Sequence, residues 1–515
     1  MTRLSRDTLP PVSPGIPLAD TPSGPGEWTA LAVGTAAALA LGWYAVANPE
    51  LLHLQVSFTP ASVAAAGVGL VLIALVLLWP AFALTLLVAV VYLNLSDVLV
   101  RGSGLPSILQ LLGLPVLISA LVHHGPGLLH RVLGEPLTWL LAAYVLLLLA
   151  STTWAEDPIL AEARFEAMGK ALALYALLLL LVTTPGRLRV AVWTMVGAGA
   201  LLGLLGFLQL SSGLESALSG LARVSRAHIY GDVFGLRLAG PLGDPNFFAQ
   251  ILLVLVPLAL YLMWEERSRW AKLAAALCLM SILSASVLTY SRGGALALLF
   301  VVVASLVANG IRWRRILVVG LAMVAGTVIL VPGGFRERFA TIGQFLPDDA
   351  VLPDTDSSFQ ERLVLMGTAW EMMAANPVVG VGAGNYTARF GEYADLFGST
   401  ARDYQDPDDG RYTHNLYLEV GAETGILGLG LFLAALLAAM VSLGRAREAF
   451  RRVGDARTRA LARAVQISLM GYLISSLFLH GDFERYLWLL LGMAGALHAV
   501  GRLGAPAATR GDHEP

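Results

Sequence analysis

The stretch Gly425-Ile-Leu-Gly-Leu-Gly-Leu-Phe-Leu-Ala-Ala-Leu-Leu-Ala-Ala-Met-Val-Ser-Leu443 holds no charged residue, and Arg445, Arg447, Arg451 and Arg452 follow it. An α-helix needs about 20 apolar residues to cross a bilayer core about 30 Å thick. Cytoplasmic segments collect Lys and Arg, so the basic end of such a run faces inward. The run therefore reads as most of a membrane span over 416–443 that ends in the cytoplasm. The same window carried outward gives spans near 29–47, 61–78, 79–96, 105–122, 136–153, 169–183, 188–211, 247–264, 271–290, 294–309, 313–331, 464–480 and 484–500. Windows 61–78 and 79–96 form one long run broken only at Trp79-Pro80. The expected fold is an all-α polytopic membrane protein of about 12 to 14 helices.

Composition agrees. Of 515 residues, 57% are hydrophobic and 14% charged, against about 25% charged in a soluble domain. This excludes a soluble enzyme, a disordered chain and a secreted disulfide scaffold. A net charge of −2 gives no basis for a nucleic-acid partner. Cys278 is the sole cysteine, which excludes an internal disulfide and a cysteine-based metal cluster. The 53 glycines and 25 prolines point to close helix packing and broken spans.

Basic residues set the topology. With Arg3 and Arg6 in the cytoplasm, the internal segments become 123–135, 184–187, 265–270, 310–312 and 444–463, each carrying arginine. The exterior receives 48–60, 97–104, 154–168, 212–246, 290–293, 332–415 and 481–483. The chain thus divides into a Pro-rich, disordered cytoplasmic tail (1–28), eleven helices (29–331), a large extracytoplasmic loop (332–413), three helices (414–500) and a cytoplasmic tail (501–515). Ala45-Val46-Ala47 resembles a signal-peptidase site, but the long, weakly basic segment before it favours an uncleaved anchor. No sequence repeat is visible. The absence of a Gly-Lys-Ser/Thr phosphate loop argues against an ATP-driven pump.

Polar chemistry gathers on the predicted outer side. Arg292 lies in Thr289-Tyr-Ser-Arg-Gly-Gly294, a tight turn before a helix expected to start at about Gly294. Two glycines admit close backbone approach, a helix N-terminus offers N–H groups, and a guanidinium matches phosphate oxygens. A snorkelling arginine at lipid headgroups is the alternative. Arg237 precedes Asp244-Pro245-Asn246, where Asp244 or Asn246 could cap the following helix. His414 stands where the large loop re-enters the membrane and could take a proton from a hydroxyl, or could serve only as a hydrogen-bonded loop residue. Glu419 and Glu423, one helical turn apart, could orient a ligand or pack against arginines. In the loop, Ser357–Ala375 reads as an amphipathic helix with Phe359, Leu363, Met366, Trp370 and Met373 on one face and Arg362 on or beside the polar one. The acidic Asp403–Gly410 segment lacks regular calcium-ligand spacing and reads as solvated loop. His123-His124 has no metal partners in sequence, and 444–463 reads as a topology anchor at anionic lipid. Asp482, Glu484 and Arg485 fall in the last outer turn.

Four pieces in order, Gly240-Pro-Leu-Gly-Asp-Pro-Asn-Phe-Phe-Ala249, Tyr290-Ser-Arg-Gly-Gly294, Asn376-Pro-Val-Val-Gly-Val-Gly-Ala-Gly-Asn-Tyr386 and His414-Asn-Leu-Tyr-Leu-Glu-Val-Gly-Ala-Glu-Thr-Gly-Ile-Leu-Gly428, resemble the O-antigen ligase and polymerase superfamily. The resemblance is specific over about 237–430. It implies a GT-C-like, metal-independent glycosyltransferase of the bacterial plasma membrane, without a cofactor. Such an enzyme moves a glycan from undecaprenyl diphosphate to a sugar hydroxyl, of another glycan or of lipid A core, at the outer face. By the same resemblance Arg237, Arg292 and His414 would be catalytic, with Arg362, Asn246, Asn415, Glu419 and Glu423 at the substrate. A transporter or lipid flippase would also need many glycine-rich spans, but would carry repeats and polar residues near the midplane.

Overall fold

The computed structural model describes residues 60–103, 107–125, 127, 129–212, 220–230, 233–311, 357–394, 412–481 and 485–504. The expectations on the N-terminal tail, the 29–47 and 313–331 spans, Ala45–Ala47, the acidic 403–410 segment, Asp482, Glu484 and residues 505–515 of the last tail fall outside those residues, while 501–504 continue the last helix.

Helices dominate. In chain order they are α1 (Pro60–Leu78), α2 (Pro80–Tyr92), α3 (Leu95–Ser103), α4 (Ile108–His124), α5 (Leu129–Leu133), α6 (Pro136–Ser151), α7 (Pro158–Leu181), α8 (Pro185–Ser212), α9 (Pro245–Leu253), α10 (Leu255–Glu265), α11 (Arg269–Leu288), α12 (Arg292–Ala308), α13 (Ser357–Ala375), α14 (Tyr386–Ala394), α15 (Leu416–Arg452), α16 (Ala456–Ser475) and α17 (Arg485–Gly504). Proline opens α2, α6, α7 and α9, where its missing N–H costs nothing and its fixed φ suits the first turn. Among the described residues, Pro185–Ser211, Pro245–Glu265, Arg269–Leu288 and Leu416–Arg452 are long and apolar enough to cross a membrane, and α2, α4, α6 and α12 are shorter apolar helices. The chain is a helical membrane protein. At its centre α17 buries Leu487, Trp488, Leu489 and Leu490 against α7 and α15. On the outside α11 leaves Leu273, Leu277 and Met280 exposed, a surface suited to lipid.

The structure departs from the sequence reading at several points: the exterior segment 97–104 is mostly helix α3, α16 begins at Ala456 inside the expected internal segment 444–463, and five more bear on the site. First, 212–246 is not all loop: β1 (Arg223–Tyr230) and β2 (Val233–Gly240) pair antiparallel, with Ser225 opposite Arg237. Only Gly231-Asp232 separates the strands in sequence, and each run carries β-branched and aromatic residues, Val224, Ile229 and Tyr230 in one, Val233 and Phe234 in the other. Second, α7 begins at Pro158, capped by Asp157, so most of 154–168 is helix rather than outer loop. Third, the 247–264 span breaks at Val254 into α9 and α10. Fourth, α15 runs to Arg452 and is interrupted at Gly425, whose φ is 65°. Fifth, α13 has the expected bounds but buries Leu365, Thr368, Ala369 and Met372, while Leu363 and Trp370 stay exposed. Thr368 and Ala369 on that stripe are small and allow close packing against α15.

Two polar clusters mark the ends of the bundle. Glu266 accepts hydrogen bonds from Arg189 and from Trp193 (2.9 Å), and pairs with Arg457 at 3.1 Å. That joins two segments read as internal from their basic residues, 265–270 and 444–463, to the first turns of α8. α11 starts three residues after Glu266 and ends just before the Arg292 turn. Its 20 residues separate the two by about 30 Å. The Arg292 turn therefore lies at the opposite end.

Candidate active site

The turn between α11 and α12 is built for close approach. Ser291 caps α12, its Oγ accepting from the Gly294 N–H at 3.2 Å. The helix thus starts at Arg292, two residues before the expected Gly294. A Cβ on Gly293 would stand 3.0 Å from Phe478, and one on Gly294 2.6 Å from the Ala249 Cβ. Only glycine lets this N-terminus nest against α9 and the segment after α16. Tyr290 adopts φ 52°, and burial raises its phenol pKa. Non-glycine residues rarely hold such a φ, and strain of this kind collects at functional sites.

The β-hairpin brings Arg237 to this turn. Its Nε donates to the Thr289 carbonyl at 2.9 Å and its Nη2 to Asn246 Oδ1 at 3.3 Å. Of the two candidate caps for α9, Asp244 is the one used: its carboxylate accepts from the N–H groups of Asn246 (2.6 Å) and Phe247 (3.1 Å). Asn246 is thereby free to face the same recess. Arg362, on α13, supplies a third guanidinium. Arg237, Arg292, Arg362, Asn246, Tyr290 and Phe478 line one open recess. No carboxylate among the described residues lines it. Three guanidiniums beside a helix N-terminus make a site for a multiply charged anion with phosphate-type oxygens.

His414 sits next to this recess. Its backbone φ is 49°, so it and Tyr290 are two of the three described non-glycine residues in the left-handed region. Asn415 caps α15, its Oδ1 accepting from the N–H groups of Tyr417 and Leu418 at 3.0 Å, while its Nδ2 donates to the Leu477 carbonyl at 3.2 Å. The Leu416 N–H donates to the Ser476 carbonyl at 3.0 Å. These bonds stitch the start of α15 to the segment after α16. The His414 Nδ1 is buried without a hydrogen-bond partner. Burial pushes its pKa down to about 4, and the charge of Arg362 adds to the shift, as does His480. The imidazole is therefore neutral near pH 7 and able to accept a proton, and Arg362 lies within electrostatic reach of it.

The remaining candidates have structural bonds. Glu419 pairs with Arg164 at 2.9 Å and accepts from the Gly481 N–H at 2.8 Å. Glu423 lies 3.6 Å from Arg164 and accepts from the Gly384 N–H at 2.8 Å. Of the two sequence readings, packing against an arginine is the arrangement seen. Neither glutamate lines the recess, nor does Asn415. Arg485 is also elsewhere, paired with Asp97 at 2.5 Å.

Two of the quoted motifs meet at the break in α15. The Val381 N–H donates to the Ala422 carbonyl and the Gly382 N–H to Glu423, both at 2.9 Å, and the Ile426 N–H donates to Pro377 at 2.8 Å. A Cβ on Gly380 or Gly425 would lie within 2.4 Å of facing backbone. The glycine-rich 376–386 segment thus satisfies the backbone groups freed at Gly425. It fixes α13 and α14 against α15, and with them Arg362 relative to His414.

The sequence reading left out Arg164, Tyr290, Tyr412 and His480. Tyr290 and Tyr412 stood inside or beside quoted motifs. Arg164 was hidden in a presumed loop, and His480 stood as the last residue of the expected 464–480 span. No curated protein matches the chain. Residues 277–433 match a family model described as O-antigen ligase; the matched part holds Arg292, Arg362 and His414, while Arg237 precedes it. Over that stretch, less than a third of its length, the chain is similar to the O-antigen ligases.

Proposed function

We propose that the protein transfers a glycan from undecaprenyl diphosphate to a sugar hydroxyl at the outer face of the bacterial plasma membrane. The observation that carries this reading is the convergence of Arg237, Arg292 and Arg362, from three separate parts of the chain, on one recess beside a neutral histidine. The acceptor oxygen attacks the anomeric carbon while the bond from that carbon to the diphosphate oxygen breaks. The acceptor proton passes to His414, and undecaprenyl diphosphate leaves with the bonding pair. Negative charge grows on the leaving group, so fixed guanidiniums stabilise the transition state more than the ground state. A partly dry recess strengthens them. The donor brings its own activation, so the reaction needs no nucleotide.

Opposite placement of the Arg292 turn and the Glu266 network along α11 supports an outward-facing site. The acceptor is a glycan hydroxyl, either on lipid A core or on another repeat unit. The test is transfer by purified protein from lipid-linked glycan. Arg292→Ala and His414→Ala should each lower turnover by about 100-fold or more, with normal membrane insertion. Wild-type turnover in either variant would remove that residue from the reaction.

A further inference from the structure

Beside His414 lies an aromatic arrangement that the transfer chemistry above does not use. The Tyr412 ring stacks on His480 at 4.0 Å between centroids, with 3° between planes. His480 is held in turn by Phe247, edge-on at 5.0 Å, and meets the His414 ring edge-on at 5.6 Å. His480 is buried and its Nδ1 has no hydrogen-bond partner. Tyr412 is 40% exposed, although its ring is fixed from one side. An aromatic ring covered on one face in a residue 40% exposed, two residues before a candidate base, is a platform. The faces of pyranose rings carry C–H groups of slight positive charge, and an aromatic face is negative. A sugar ring laid on the side of Tyr412 away from His480 would sit about 8 Å from the His480 ring, so the next sugar of the same acceptor is the one that would reach His414.

We propose that Tyr412, backed by His480, is the stacking subsite for the acceptor sugar. The proposal rests on the transferase reading above and adds the element that holds the acceptor. It divides the site in two. Arginines on one side bind the charged donor, and an uncharged aromatic face on the other binds the acceptor, with His414 between them. Burial, with the charge of Arg164 adding to it, pushes the His480 pKa down to about 3, so the ring beneath Tyr412 stays uncharged in the working range. The side chain of Tyr412 is at the surface, so its truncation leaves the packing of α15 and α16 in place.

The experiment uses the purified full chain, lipid-linked glycan as donor and lipid A core as acceptor. Tyr412→Ala should raise the acceptor KM about tenfold or more, leave the donor KM unchanged and lower kcat by less than about threefold. Tyr412→Phe and Tyr412→Trp should restore the acceptor KM. Saturation-transfer NMR with delipidated core oligosaccharide should show binding to wild type and Tyr412→Phe, and loss in Tyr412→Ala. An unchanged acceptor KM in Tyr412→Ala, an equal rise in both KM values, or oligosaccharide binding that ignores the substitution or is absent in wild type would overturn the proposal. Failure of the transferase reading looks different, because His414→Ala would then keep full transfer.

Discussion

Transfer should survive acidification well below the range where histidine chemistry ordinarily fails. Burial, then Arg362, then His480 hold the His414 pKa down to about 4. At pH about 5.5 an imidazole titrating at about 4 is about 97% neutral, whereas one at the ordinary 6.5 is about 9% neutral. The profile of kcat/KM reports the free enzyme. Between pH about 7.5 and about 5.5, protonation of this group should lower kcat/KM by only a few per cent rather than about tenfold. Arg362→Gln removes a positive neighbour, so protonated His414 becomes easier to form and the acid limb should move up toward 6.5. A bound donor acts with the same sign: its diphosphate offsets the arginine charge, and the limb in kcat should lie above that in kcat/KM. Initial rates from purified wild type and Arg362→Gln, taken from pH about 4.5 to about 8, give both limbs. A wild-type kcat/KM that drops about tenfold by pH 5.5, or a limb that stays in place in Arg362→Gln, would refute this account of the site.

Two further predictions concern the scaffold. Gly294→Ala places a Cβ 2.6 Å from the Ala249 Cβ; shifting the α12 N-terminus by about 1 Å should cost about 100-fold in transfer, while the thermal midpoint falls modestly. Arg164→Ala removes the guanidinium that stands against Glu419 and Glu423, and both carboxylates are almost fully buried. The loss should be about 3–5 kcal/mol, seen as loss of the monodisperse protein in size-exclusion chromatography. Adding Glu419→Gln and Glu423→Gln to Arg164→Ala should recover part of it. No recovery would mean that Arg164 acts through other contacts.

The hydrophobic windows found most of the described helices because membrane helices satisfy their own backbone and must be apolar over a fixed length. That is a local property, visible in runs such as 425–443. The arginines and His414 were legible for a related reason, since charges beside a membrane are rare and expensive. The hairpin at 223–240 and the helix start at Pro158 were missed because they lie outside the apolar windows. The buried stripe of α13 was misread because which face of an amphipathic helix is covered depends on what packs against it, and Thr368 and Ala369 at its centre carry no apolar signal of size.

By itself the sequence determined that this is a helical membrane protein with charged residues gathered in a few predicted outer segments. It also determined which residue types could grip a diphosphate. Tertiary structure alone decided which of them meet. Asn246, Arg237, Arg292 and Arg362 share one recess, whereas Asn415, Glu419 and Glu423 hold α15 in place, and Tyr412 and His480 join His414. The physical reason is that a side chain's use depends on the partners within about 3 Å of it. Those partners come from segments far apart in the chain, set by helix packing and by the glycine contacts at 294, 380 and 425.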